Sequence, residues 1–250
     1  MILAIDSSIG SAVAVVDPET EEVLGQAQSE TSRGHAEVIG TLIQQALEAA
    51  GITPADITAV AAGMGPGPFT GLRIGIAAAR AFAIGRGIPV VPVASHDAAA
   101  LETLEQDPDA EFIIVTDARR RENAVSAYAG LANGLPNRIA GPDLLPNTED
   151  PESYLAEQLS TLTSSERSEA DSPQGPPASG LAGGSAERIR GTAGPEGNPL
   201  RDPATRSIPA SYVAIIAARK IKAGTIEHID PLYLRAPDAK VPGAVKRVSS

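Results

Sequence analysis

The sequence contains no cysteine, which excludes disulfides, thiolate metal sites and a cysteine nucleophile together. It has no tryptophan and only 3% aromatic residues, so a core has to be built from Ala, Val, Ile and Leu. Three histidines stand far apart at His35, His96 and His228, and a histidine-rich metal site is not expected. No apolar run approaches the ~20 residues needed to span a bilayer. Nothing in the first residues resembles the basic region and cleavage pattern of an export signal, so no membrane association and a cytoplasmic location are expected. The formal charge of −11 argues against a broad basic face for nucleic acid. Basic residues gather only at Arg119-Arg120-Arg121 and over 240–247, where a solvated surface explains them.

What is present is an ordinary globular chain of 250 residues with 42% apolar content. Residues 2–6 form a buried apolar strand that ends on Asp6, before the turn formers Ser7, Ser8 and Gly10. Strands follow over 12–16 and 23–28. Residues 35–50 carry the period of an amphipathic helix, with Val38, Leu42, Ala46 and Ala49 on one stripe, and Gly51 stops it. A short turn at 54–56 leads to a fully buried strand over 57–62. A second helix spans 69–85, a strand 88–93, and another helix 95–105. This βββαβαβ order predicts an α/β protein of the ribonuclease-H-like kind with a mixed sheet.

The pattern restarts with strands over 112–116, ending at Asp117, and over 123–129. Two domains are therefore expected, 1–105 and 106–250. The stretch 163–206 is crowded with Ser, Gly, Pro and Glu and reads as a flexible insertion, with order around 180–189. A helix over 211–223 and a short strand over 231–235 complete the reading.

Two features carry function. The loop Gly63-Met64-Gly65-Pro66-Gly67-Pro68-Phe69-Thr70-Gly71 joins a buried strand to a helix. It suits either an anion at free backbone amides or a tight turn with Thr70 near the N-cap. Within the helix, Gly71, Gly75, Ala79 and Ala83 recur every four residues and form one face without bulk. That face packs either on the protein's own sheet or against a partner helix.

Asp6, Ser7 and Ser8 together resemble the first phosphate loop of the actin-like ATPase superfold, in which an acidic residue orients metal-bound nucleotide; a strand-terminal cap is the alternative. Leu181-Ala182-Gly183-Gly184-Ser185-Ala186 partly resembles that superfold's adenosine loop but lacks the preceding apolar strand. Four stretches resemble the TsaB (YeaZ) family: Ile2 to Ser8, Ser32-Arg33-Gly34-His35-Ala36-Glu37, Gly65 to Gly75, and Asp117-Ala118-Arg119-Arg120. Tyr233-Leu234-Arg235 is similar to its C-terminal signature. Pro68 stands where the family usually has Ser.

The resemblance implies an actin-like ATPase superfold of two domains with mixed sheets. It also implies a non-catalytic subunit that pairs with a TsaD-type catalytic subunit and works with a TsaE-type ATPase. That machinery threonylcarbamoylates the adenosine beside the tRNA anticodon, and tRNA would be met only through the complex. Partner-binding residues are then expected at His35, Val38, Leu42, Thr70, Gly71, Arg73, Gly75 and Ala79. Nucleotide, if bound, is expected at Asp6, Ser7, Ser8 and Asp117 or, as ATP, at the partner interface. A homodimer is a further expectation, and no tightly held cofactor is expected. The catalytic paralogue holds its metal with a His-x-x-x-His helix. Here His96 has Ala100 four residues on, so two imidazoles cannot share that face. An ATP-hydrolysing enzyme of the same superfold is the competing expectation. A metalloprotease has no HExxH to support it.

Overall fold

The computed structural model describes residues 1–29, 34–170 and 208–235. A five-stranded sheet runs in the order β3-β2-β1-β4-β5. Its strands are β1 (Ile2–Asp6), β2 (Ser11–Val16), β3 (Val23–Ser29), β4 (Ala59–Gly63) and β5 (Val90–Val93). β2 lies antiparallel to β1 and β3, with Ile2 opposite Val16 and Asp6 opposite Ala12, while β4 runs parallel to β1 and β5. The sheet is thus mixed, as the element order predicts.

β1 and β2 are buried along their whole length because both faces of the sheet are covered. Period two sorts their side chains between the two sides. Leu3, Ile5, Val13 and Val15 meet α1 (His35–Ala49) and α2 (Phe69–Arg86), through Leu42, Ala46, Leu72 and Ile76. Ile2, Ala4, Ala14 and Val16 face α3 (Ser95–Leu104) and α5 (Ala210–Ala223), through Leu101, Val213 and Ala217.

The second sheet, β6 (Glu111–Asp117), β7 (Glu122–Ala132) and β8 (Leu135–Pro146), is antiparallel throughout and corrects the expectation of two mixed sheets. Phe112, Ile114 and Tyr128 share the core of α3 and α5. On the opposite side, Ile113, Val115, Val125 and Leu145 form a smaller cluster against Tyr154 of α4 (Pro151–Ala170).

Two further expectations are corrected, and one placement stands beside them: α5, from beyond the expected division at 105/106, packs in one core with β1 and β2. Residues 163–170 of the expected insertion continue α4. Residues 231–235 form no strand: they join neither sheet, the Tyr233 N–H donates to the Pro231 carbonyl at 2.8 Å, and 234–235 bend. The remainder of the expected insertion, the adenosine-loop resemblance at Leu181–Ala186, Ser32, Arg33 and the basic stretch 240–247 lie outside the described residues. Among the described residues no helix is long and apolar enough to cross a membrane.

Candidate functional site

The glycine-rich loop between β4 and α2 is held from below by the end of β1. One carboxylate oxygen of Asp6 accepts the Ser8 N–H at 2.9 Å and the Ser8 hydroxyl at 2.6 Å. The other accepts the Ser95 hydroxyl at 2.5 Å, and Ser95 Oγ in turn accepts the Gly65 N–H at 3.0 Å. Burial pushes the Asp6 carboxyl above its ordinary range, against the downward pull of these bonds. A side chain at Gly67 would lie 2.7 Å from the Ser8 backbone, so only glycine lets the loop sit this close.

Ser7 explains the small-residue helix. Its hydroxyl donates to the Gly71 carbonyl at 2.7 Å and accepts the Gly75 N–H at 2.9 Å, bridging two groups four residues apart in the first turns of α2. A Cβ on Gly75 would collide with that hydroxyl. Gly71, Gly75 and Ala79 are buried in the chain itself, and so is Leu42 of α1. These four positions, expected as partner contacts, thus lie inside the chain: Leu42 packs in the core beneath α1, and the lack of bulk at Gly71, Gly75 and Ala79 serves the fit of α2 onto β1 and its loop. Of the other expected residues, Thr70 and Arg73 are exposed and Val38 is half-buried; His35 opens α1, and its side chain lies outside the description.

The outward side of the same helices is a different surface. Ala77, Ala81 and Gly85 follow each other every four residues on α2 and are exposed, and Ile84 beside them is 81% exposed. On α1, Gly40 is exposed, with none of the described residues within 4 Å of where a Cβ would stand, and Gly85 is equally open. Gly40, Ile43, Leu47 and Phe82 line a groove of about 350 Å³ between the helices. Such interior glycines cost a helix roughly 1 kcal/mol each, and no contact among the described residues accounts for Gly40. The sequence signal that could have singled it out is an interior glycine off the apolar stripe.

A cleft of about 380 Å³ opens between the loop and the second sheet, lined among others by Gly67, Phe69, Thr70, Asp117, Arg119 and Tyr233. Asp117 lies exposed at its edge, accepts the Arg119 N–H at 2.7 Å and pairs with the Arg119 guanidinium at 3.4 Å. Arg119, Arg120 and Arg121 all have positive φ, at 65°, 58° and 64°. Asp6, Ser7 and Ser8 do not reach this cleft. The four residues expected to hold nucleotide are thus not brought together, because the first three bond within the chain. Ser95, the link between Asp6 and the loop, was legible only as a helix start.

Behind the cleft, His96 is fully buried. Its Nδ1 lies 2.8 Å from Ser126 Oγ and its Nε2 2.9 Å from Thr116 Oγ1, so the ring joins α3 to the second sheet. Burial first, and Arg138 second, lower its pKa to about 3, which keeps the imidazole neutral. Next to it Asp97 accepts the Tyr128 hydroxyl at 2.8 Å and pairs with Arg138 at 3.6 Å. Among the described residues, no three His, Asp or Glu side chains gather into a group able to hold a metal ion.

The model of the family TsaD: tRNA N6-adenosine threonylcarbamoyltransferase matches residues 19–145, just over half of the chain. Uncharacterized proteins of Mycobacterium tuberculosis and Mycobacterium bovis are 40% identical over 142 residues, covering 56% of this chain and 63% of theirs. The tRNA N6-adenosine threonylcarbamoyltransferase of Streptococcus pneumoniae is 40% identical over 112 residues, 44% of this chain and 33% of that protein. The chain thus spans less than two thirds of these relatives. Among solved structures, YeaZ from Pseudomonas aeruginosa superposes with a TM-score of 0.52 at 27% identity, covering 58% of this chain and 67% of that one.

Proposed function

Starting from a chain that belongs to the threonylcarbamoyltransferase (TsaD) family, with a TsaB/YeaZ-like form of the actin-like ATPase superfold, we propose that it is a non-catalytic subunit that docks on a TsaD-type enzyme. Its family and structural relatives support a role related to tRNA modification. The finer reading rests on one observation above all: Gly40, an interior glycine on an exposed helical face, has no neighbour among the described residues that requires it. A missing side chain lets a second backbone approach closely. On α2, Ala77, Ala81 and Ile84 are exposed apolar residues as well. Exposed apolar surface of this kind marks an interaction site.

The competing reading, an ATP-hydrolysing enzyme, asks Asp6 to orient metal-bound nucleotide. Both its carboxylate oxygens accept hydrogen bonds, from Ser8 and Ser95, and the group is buried, which favours the subunit reading. ATP, a TsaE-type ATPase and tRNA then belong to the assembled complex in the cytoplasm, and self-association through the same face would compete with docking. Calorimetric titration of the chain with the threonylcarbamoyltransferase of its own organism tests this. One-to-one binding is expected from the parent chain, together with no ATP turnover by the chain alone. Turnover by the pure chain that disappears in Asp6→Ala would overturn the reading.

A further inference from the structure

The Tyr233-Leu234-Arg235 signature is not used by the docking face, yet it carries a dense set of contacts. The Leu232 N–H donates to the Met64 carbonyl at 2.8 Å. The Tyr233 ring lies 4.8 Å from Phe69 at a tilt of 47°. Arg73 stands 3.8 Å above the Phe69 ring and donates from Nε to the Tyr233 hydroxyl at 3.2 Å. All of these anchors belong to the glycine loop and α2. Two residues on, Arg235 donates to the carbonyls of Ala118 and Arg119, at 3.2 and 3.3 Å, and pairs with the Glu122 carboxylate. These anchors belong to the hairpin between β6 and β7.

Five residues therefore tie the first sheet's layer to the second sheet across the mouth of the 380 Å³ cleft, which Tyr233, Leu234 and Arg235 themselves line. Away from this segment the second sheet is fixed differently, by the fully buried His96 between Thr116 and Ser126, the Tyr128–Asp97 bond, and Phe112, Ile114 and Tyr128 in the core shared with α3 and α5. One is a buried joint that water does not reach. The other is a partly exposed fork of guanidinium bonds, with 27% of the Arg235 side chain and 33% of the Glu122 side chain accessible. Solvent and salt weaken bonds of the second kind far more than the first.

We infer that residues 231–235 are a releasable latch: with Arg235 seated on the β6–β7 hairpin the cleft is held at its present width, and with Arg235 released the second sheet swings about the His96 joint and the cleft opens. This stands independently of the docking reading, since it concerns the isolated chain. Geometry favours Arg over Lys at the latch, because only a planar fork reaches two carbonyls and a carboxylate at once.

The absence of native cysteine permits a direct measurement. Spin labels on Arg80→Cys in α2 and Thr148→Cys beside the hairpin report the spacing across the cleft by pulsed electron resonance. A single narrow distance distribution is expected in the parent. Arg235→Ala should add a longer-distance population, Arg235→Lys a smaller one, and raised ionic strength should shift the parent the same way. Hydrogen exchange at residues 95–104 should stay as slow as in the parent. An unchanged distribution in a folded Arg235→Ala chain overturns the latch. So does loss of the cooperative melt in both Arg235 variants, which would make the segment part of the core.

Discussion

The two sides of α2 carry nearly the same residues and do opposite things. Inward lie Gly71, Gly75, Ala79 and Ala83, all buried. Outward lie Ala77, Ala81 and Gly85, all exposed. On the inner side the missing bulk is occupied, because Ser7 Oγ sits where the Gly75 side chain would be. On the outer side, at Gly85 and at Gly40 of the neighbouring helix, none of the described residues stands within 4 Å. A run of small residues thus states that something comes close, and the structure must be asked what comes.

Gly75→Leu is the strongest way to break the contrast. It overpacks the inner side and displaces the Ser7 bonds, and is expected to cost about 3 kcal/mol or more in chemical denaturation. A parent-like midpoint would mean that the inner side is looser than described.

His96 sharpens it on the other side of the sheet. Its folded pKa of about 3 lies below the ordinary 6.5, so the unfolded chain takes up a proton that the folded chain refuses. The contribution of this group to stability is complete above pH 6.5 and is lost as pH falls toward 3. That amounts to roughly 2–3 kcal/mol by pH 4.5. His96→Gln should be less stable at neutral pH and show a flatter acid limb in denaturant titrations; an unchanged acid limb would place the acid sensitivity elsewhere.

Ala81→Arg probes the outer side. It should leave the melting temperature within error of the parent and weaken binding to the proposed TsaD-type partner by about 2 kcal/mol, near thirtyfold in Kd. Retained affinity in calorimetry would move the interface off α2. Ser7→Ala leaves the Gly75 N–H and Gly71 carbonyl to each other and should cost only about 1 kcal/mol in urea melts. Gly40→Ala is the smallest and has the opposite sign: a gain of under ~1 kcal/mol in stability from helix propensity. A loss of stability there would reveal an inner neighbour for Gly40.

Much of the first sheet was legible because its strands are short apolar runs, as in Ile2–Asp6 and Ala59–Gly63. β8 was not, since Pro136, Asn137, Gly141 and Pro142 read as turns. An edge strand tolerates them, and its pairing with β7 slips register at several points. The four-residue spacing in α2 was legible, but its direction was not. The deciding partner, Ser7, lies 68 residues from Gly75, and no local pattern encodes that distance. Asp6 was found from its place at a strand end. Its link to Ser95, 89 residues on, was equally out of reach, and so the carboxylate looked available when it is enclosed.

The late arrival of α5 bears on how the protein is made. β1 to β5 are complete by residue 93, but the helix that covers Ile2, Ala4, Ala14 and Val16 ends only at Ala223. At ribosomal speeds of about 5–20 residues per second, that side of the sheet waits on the order of ten seconds for its cover. During translation the nascent chain offers a bare aliphatic surface to whatever holds exposed apolar segments in the cell. A chain stopped before residue 210 should be captured by such holdases, and one that carries α5 through Ala223 should be released from them.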